Sequence, residues 1–150
     1  MSNDHMFSRN PRMPKKVHIG DITIRDGFQH EEIFIPTEAK IYYLQELAFA
    51  GVRRMEVTNL GNARIMPQFK DAEAVLEGIR SNIFNNRLLK RNIDPSEIEW
   101  TAVTIREAAV DRAISLKEQG RGPDRVLMMV STDEEHHFAN SGTTLPQYWR

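Results

Sequence analysis

The stretch Asp21–Glu32, DITIRDGFQHEE, decides how the rest of the chain is read. Val17, Ile19, Ile22 and Ile24 are apolar and β-branched, and Thr23 is β-branched too, a composition that favours a strand. The strand ends in charge, at Arg25 and Asp26, and then at Gly27. A glycine there lets the chain turn with positive φ or lets a ligand come close to the backbone. Taken alone, Arg-Asp-Gly reads first as a solvated surface turn. Its meaning depends on what the later segments bring beside it.

The chain has 150 residues, enough for one domain with a real core. Its 20 Lys and Arg nearly balance 21 Asp and Glu, which leaves a net charge of −1. That balance gives no electrostatic case for nucleic acid or for an anionic membrane. The absence of cysteine excludes disulfides, zinc–thiolate sites and thiol nucleophiles within this chain. No run approaches the ~18 apolar residues of a membrane span. Met1–Lys16 has basic residues but no apolar segment, so it is not a secretory signal. With Pro11 and Pro14 opposing regular structure, residues 1–16 read as a flexible polar tail, and a cytoplasmic protein is expected.

Beyond the charged loop, Pro36-Thr37 starts a helix, with Thr37 as cap and Glu38 near the positive end of the dipole. Ile41, Leu44, Leu47 and Ala48 recur at helical spacing, and Gly51 ends the run. Val52, Met55 and Val57 mark a second strand running into Glu56, Thr58 and Asn59. After Pro67, a second helix carries Phe69, Ala72, Val75, Leu76 and Ile79 on one face. Residues 81–98, with Asn82, Asn85, Asn86, Asn92 and Pro95, read as loop enclosing at most a short helix. Its Arg87, Lys90 and Arg91 form a basic cluster without the glycine-rich turn of a phosphate site. Trp100–Thr104 is a third strand and Arg106–Glu118 a third helix, with Gly120 after it. Arg125–Val130 is a fourth strand, apolar throughout and so expected to be covered on both faces. Ser131–Gly142 reads as a polar loop, and Thr144 onward as the start of another helix.

Strand–helix alternation of this kind means a parallel sheet with crossover helices, an α/β fold of about four units. The units suit an open doubly wound sheet, or the first half of a (β/α)8 TIM barrel, which needs about 250 residues. In either fold the chemistry gathers at the carboxyl ends of the strands. There the first strand delivers Arg25, Asp26 and Gln29, and the second delivers Glu56, Thr58 and Asn59. The third ends at Thr104, and the fourth leads to Ser131, Asp133, His136 and His137. A hard divalent cation prefers carboxylate oxygen, which makes Asp26 the leading ligand candidate. Arg25 could hold negative charge developing on a carbonyl or enolate oxygen. Glu56 could shuttle a proton or pair with Arg53, Arg54 or Arg25. Adjacent histidines on an extended segment point opposite ways, so His136 and His137 do not easily share one ion.

These residues resemble the opening of the metal-dependent aldolase and Claisen barrel family, which includes 3-hydroxy-3-methylglutaryl-CoA lyase, isopropylmalate and homocitrate synthases and biotin-dependent carboxyltransferases. The likeness starts at Asp21–Gln29 and continues in order through Pro36-Thr37, Lys40, Leu47, Ala50-Gly51-Val52, Glu56-Val57-Thr58, Pro67-Gln68, Asp71 and Val75. The Gly-Phe-Gln-His-Glu run and the Pro-Gln-x-x-Asp segment are more similar to the lyase branch. The resemblance holds over residues 17–79, weakens across 81–98, which reads as an insertion, and returns at Val126–Ser131. It implies that 17–150 form the amino-terminal half of a barrel acting on an acyl-CoA or 2-oxo acid with Mg²⁺ or Mn²⁺. By the same resemblance Asp26 would be the metal ligand, Arg25 would steady the enolate-like oxygen and Glu56 would assist proton transfer. Gln29 and Thr58 would line the substrate site.

The chain also departs from the family. The His-x-His pair that completes the family's metal site does not occur here, and His136-His137 has neither its place nor its spacing. The lyase branch uses a late cysteine, and this chain has none. Three readings follow: part of a carbon–carbon lyase or condensing enzyme that needs a second barrel half or self-association; a non-catalytic half-barrel scaffold; or an open α/β domain for a small phosphorylated ligand. The missing glycine-rich fingerprint counts against the last.

Overall fold

Three parallel strands lie side by side in chain order in the computed structural model, which describes residues 14–148. They are β1 (Arg54–Asn59), β2 (Glu99–Thr104) and β3 (Arg125–Met128). Residues 1–13 of the expected tail fall outside the described residues. The helix α1 (Thr37–Phe49) precedes β1, α2 (Ala72–Arg80) and α3 (Asn82–Leu89) join β1 to β2, and α4 (Glu107–Glu118) joins β2 to β3. Beyond β3 come α5 (Glu134–Ser141) and the short α6 (Leu145–Tyr148).

Period-two burial orients the first two strands. Met55, Val57, Trp100 and Ala102 are buried among α1, α2, α3 and α4, while Arg54, Glu56, Glu99 and Thr101 are only partly covered on the other face. That second face carries a ladder of ion pairs across the strands, with Glu99 3.6 Å from Arg54 and 2.7 Å from Arg125. On the helix side, Trp100 meets Phe84 edge to face with centroids 5.8 Å apart. The register shifts between Glu56 and Thr58, which bends β1 just before its carboxyl end.

Several expectations are corrected. The first strand does not form a ladder. Asp21 makes one parallel bridge to Met55, accepting from Glu56 N–H and donating its own N–H to Arg54 O. The Asp21 carboxylate then accepts from the N–H and hydroxyl of Thr23. This local bonding competes with extension, and the chain winds into a π-turn over Thr23–Gly27. The fourth strand is not covered: every residue of β3 is exposed, and its outer edge pairs with nothing among the described residues. Residues 81–98 are more regular than their asparagines suggest. Ser81 caps α3 by accepting from Phe84 N–H, and Phe84, Leu88, Ile93 and Ile98 enter the core. The basic cluster there is partly used internally, since Arg87 donates to Gln45 and Arg91 stacks on Phe49. Ser131–Gly142 holds the helix α5, capped by Asp133, which accepts from His136 N–H, and closed by Gly142 at φ 69°. Thr37 does not cap α1: Pro36 holds that position, and the Thr37 hydroxyl donates to Asp71 instead.

Candidate functional site

The π-turn sets the site. Single-turn π-bulges recur at functional positions because they re-aim side chains out of helical register. Here the turn places consecutive residues on different tasks. Ile24 enters the core, and Arg25 lies almost buried against β1. Arg25 Nε donates to Glu56 Oε2 at 2.7 Å, and its Nη2 lies 2.6 Å from the same oxygen. Its Nη1 donates to Asp26 Oδ1 at 2.6 Å. One guanidinium therefore holds two carboxylates, and it carries more N–H donors than they use. Of the partners considered for Glu56, the structure selects Arg25. Arg53 and Arg54 face Glu97 and Glu99.

Arg25, Asp26 and Gln29 line a cavity of about 400 Å³ at the carboxyl ends of the strands. Asn59 from the end of β1, Ile105 just after β2, and Met129, Val130 and Ser131 just after β3 complete its floor and wall. The loops converge on one face, as the alternation implies. Thr58 lies buried within β1 and does not line this cavity; the next residue, Asn59, does. Thr104, at the end of β2, is fully buried, and its hydroxyl has no hydrogen-bond partner among the described residues.

The far wall belongs to α5. His136, His137, Asn140 and Ser141 all face the cavity. On a helix, unlike an extended segment, residues three and four apart share a face. Sequence reasoning missed Asn140 and Ser141 as well as Met66. The signal available was Asp133 as cap, Glu134-Glu135 in the first turn and Gly142 as stop, which together define α5. Asn59 Nδ2 donates to Met66 Sδ at 3.2 Å, so these two wall residues are joined. Asn59, Met66, Ile105 and Asn140 also border a second, more apolar lobe of about 390 Å³ lying towards Arg106 and Arg112. The two cavities therefore adjoin, sharing these four wall residues.

The donors do not complete a metal centre. Among the described residues no group of three or more His, Asp or Glu could hold an ion. Asp26 offers a half-exposed carboxylate already tied through one oxygen to Arg25. Among the described residues, Asp26 therefore offers at most one ligand of a divalent-cation site, and the rest of such a site is not among them.

No family model matches the chain. Curated relatives do. Over 73 residues it is 37% identical to the mouse cytoplasmic 3-hydroxy-3-methylglutaryl-CoA lyase, covering 49% of this chain and 21% of that protein. Over 104 residues it is 34% identical to the mouse mitochondrial hydroxymethylglutaryl-CoA lyase, covering 69% and 32%. The chain thus spans about a fifth to a third of the length of these relatives. Among solved structures, an HMG-CoA lyase from Acinetobacter baumannii, in complex with coenzyme A and 3-methylmalate, superposes with a TM-score of 0.71 at 21% identity. That match covers 88% of this chain and 37% of the other. The hydroxymethylglutaryl-CoA lyase of Pseudomonas aeruginosa gives 0.69 at 21% identity, covering 90% and 39%. The likeness shows the fold: these strands and helices are part of a TIM barrel.

Proposed function

We propose that this chain, HMG-CoA lyase-like in sequence and in fold over the part of the barrel it spans, supplies one corner of a carbon–carbon lyase site. The observation that carries the reading is Arg25 held by Glu56 and Asp26 at the edge of a cavity into which Gln29 also opens. In a retro-Claisen or aldol cleavage, the electron pair of the broken carbon–carbon bond moves onto a carbonyl oxygen as an enolate. Arg25, a planar donor held on two sides, would receive that oxygen without having to reorganise. Glu56 fixes the guanidinium and would assist proton transfer. Gln29 would orient the substrate from the wall of the cavity, and Thr58 would support this edge from beneath.

An Mg²⁺ or Mn²⁺ ion would polarise the substrate oxygens in such a reaction. Asp26 is the ligand this chain would contribute, with the remaining ligands supplied from beyond the described residues. An acyl-CoA or 2-oxo acid is the substrate class. The more apolar cavity adjoining the first supports the former, as does the complex of the Acinetobacter protein with coenzyme A. A cytoplasmic location is part of the same proposal, supported by the mouse relative named as cytoplasmic. The remaining strands of the barrel would pair with the open edge of β3, from a second barrel half or through self-association. That same open edge favours the alternative, a non-catalytic half-barrel that docks on a partner.

The test is cleavage of HMG-CoA by the longest form of the protein its source cell makes, beside Arg25→Lys. A point charge replacing a planar fork should lower kcat at least tenfold and raise KM much less. Unchanged kcat in this variant removes Arg25 from the mechanism. No cleavage by the wild type, with or without Mn²⁺, favours the scaffold.

A further inference from the structure

The sequence motif Pro67-Gln-x-x-Asp71 and the lone Lys40 have no part in the chemistry above, yet the structure joins them in one buried network. Gln68 is 4% exposed and Lys40 1%. The Gln68 side chain spends both N–H donors and its carbonyl oxygen on the backbone of one loop. Its Oε1 accepts from Ile35 N–H at 3.1 Å, and its Nε2 donates to Glu31 O and Ile33 O, each at 2.7 Å. Lys40 Nζ in turn donates to the backbone carbonyl of Gln68 and to Asp71 Oδ1, the latter at 2.7 Å. Thr37 Oγ1 takes the other Asp71 oxygen at 2.8 Å.

The network ties together two walls of the cavity. Glu31 lies two residues beyond Gln29, which lines it. Gln68 lies two residues beyond Met66, which lines it and is bonded to Asn59. The loop after the π-turn is therefore fastened to the loop after β1 by one amide side chain, and that side chain's backbone is fastened to α1 by Lys40. A buried amide with every donor and acceptor satisfied fixes geometry in a way an apolar contact cannot, because any displacement strands a desolvated polar group.

We infer that Gln68 is a positioning residue: it sets the separation of the Gln29 and Asn59–Met66 walls and so the fit of the substrate, with Lys40 and Asp71 holding Gln68 in place. The inference rests on the proposed lyase reading for its kinetic consequence but not for its structural one. Arg25 is held independently, by Glu56 and Asp26. Loss of Gln68 should therefore disturb binding at the walls more than chemistry at the guanidinium.

The experiment uses Gln68→Met, which keeps length and removes the amide's side-chain hydrogen bonds, and Gln68→Glu, which keeps shape but puts a carboxylate against two carbonyl oxygens. HMG-CoA cleavage is measured on the longest native form, and amide hydrogen exchange on the same samples. The expected result is a KM raised about tenfold with kcat within about threefold in both variants, the reverse of Arg25→Lys. A merely structural role would instead reduce the active fraction, lowering apparent kcat and leaving KM alone. In the exchange arm, amides of both 28–35 and 59–66 should exchange faster while β2 and α4 stay protected. Faster exchange at Ile35 alone, or wild-type KM in Gln68→Glu, overturns the inference. Should the wild type prove inactive, the lyase reading fails while the exchange arm still decides whether Gln68 couples the two walls.

Discussion

Breaking the Lys40–Asp71 pair should cost more than any other single ion pair described here. The Lys40 side chain is 2% exposed and that of Asp71 10%, with 2.7 Å between the charges. By contrast Arg53–Glu97 spans 3.9 Å in largely solvated surroundings, a class of pair worth about 0–1 kcal/mol. Removing one partner of a buried pair leaves a charge without its counterion and typically costs about 3–5 kcal/mol. Asp71→Ala should reach that range. The stranded Lys40 ammonium keeps only the Gln68 carbonyl and the face of Phe34, whose centroid is 4.5 Å away. Lys40→Met should fall near the lower end, because the Asp71 carboxylate still accepts from Thr37. The double variant Lys40→Met/Asp71→Asn removes both charges and keeps an acceptor for Thr37, so it should cost less than the two corresponding single changes added together. The coupling should amount to about 2 kcal/mol. Urea unfolding measures all of this. With a slope of about 1–3 kcal/mol per molar, a loss of 3–5 kcal/mol moves the midpoint by about 2 M. Singles within about 1 kcal/mol of wild type, or a cycle additive to within about 0.5 kcal/mol, would refute the account of this pair as a buried, mutually dependent one.

Burial alone would raise the Asp124 carboxyl, but the Trp100 N–H, Lys117 and Arg80 outweigh it and hold the group below its ordinary value. Its contribution is therefore present above the usual carboxylate range and is lost as pH falls through the lowered value, below about pH 4. The thermal midpoint of Asp124→Asn should fall less steeply than wild type over that acidic limb, and parallel limbs would exclude the group. A methyl at Gly122 would stand 2.3 Å from Lys117 N and 2.5 Å from its Cα, both backbone atoms. Gly122→Ala should therefore destabilise by about 1–3 kcal/mol, whereas Gly20→Ala, whose nearest neighbours lie at 3.9 Å, should not; equal midpoints in the two would contradict the packing. Leu127→Lys on the open edge of β3 should reduce self-association in light scattering with little change in thermal midpoint. Unchanged association would place the contact elsewhere.

Much of the chain could be read from local pattern alone. The α1 and α4 helices follow from apolar residues at helical spacing and the glycines that stop them, while β1 and β2 follow from short apolar runs between those helices. Arg25, Asp26 and Glu56 stood out because charged residues at strand ends of a parallel sheet share a face. Whether Arg25 would take Glu56, and which arginine Glu56 would prefer, needed three dimensions, because the residues are far apart in sequence and several partners were chemically equal. The π-turn was hidden for a different reason. Thr23 and Ile24 favour a strand, whereas the folded chain bonds the Asp21 carboxylate back onto Thr23 and closes the turn from Asp26 and Gly27 N–H onto Ile22 O. In α5 the cap and stop residues were present in the sequence, but a polar composition masked them.

What the sequence determined by itself is the order of elements and the chemical types arriving at one face, since periodicity, caps and strand-end charge are local properties of the chain. Only the tertiary structure decided that Gln68, Lys40 and Asp71 form one network, that Asn140 shares a wall with His136 and His137, and that β3 lies open. Those outcomes depend on which side chains and backbone groups the packed elements bring together or leave without partners, a condition that exists only in the folded chain.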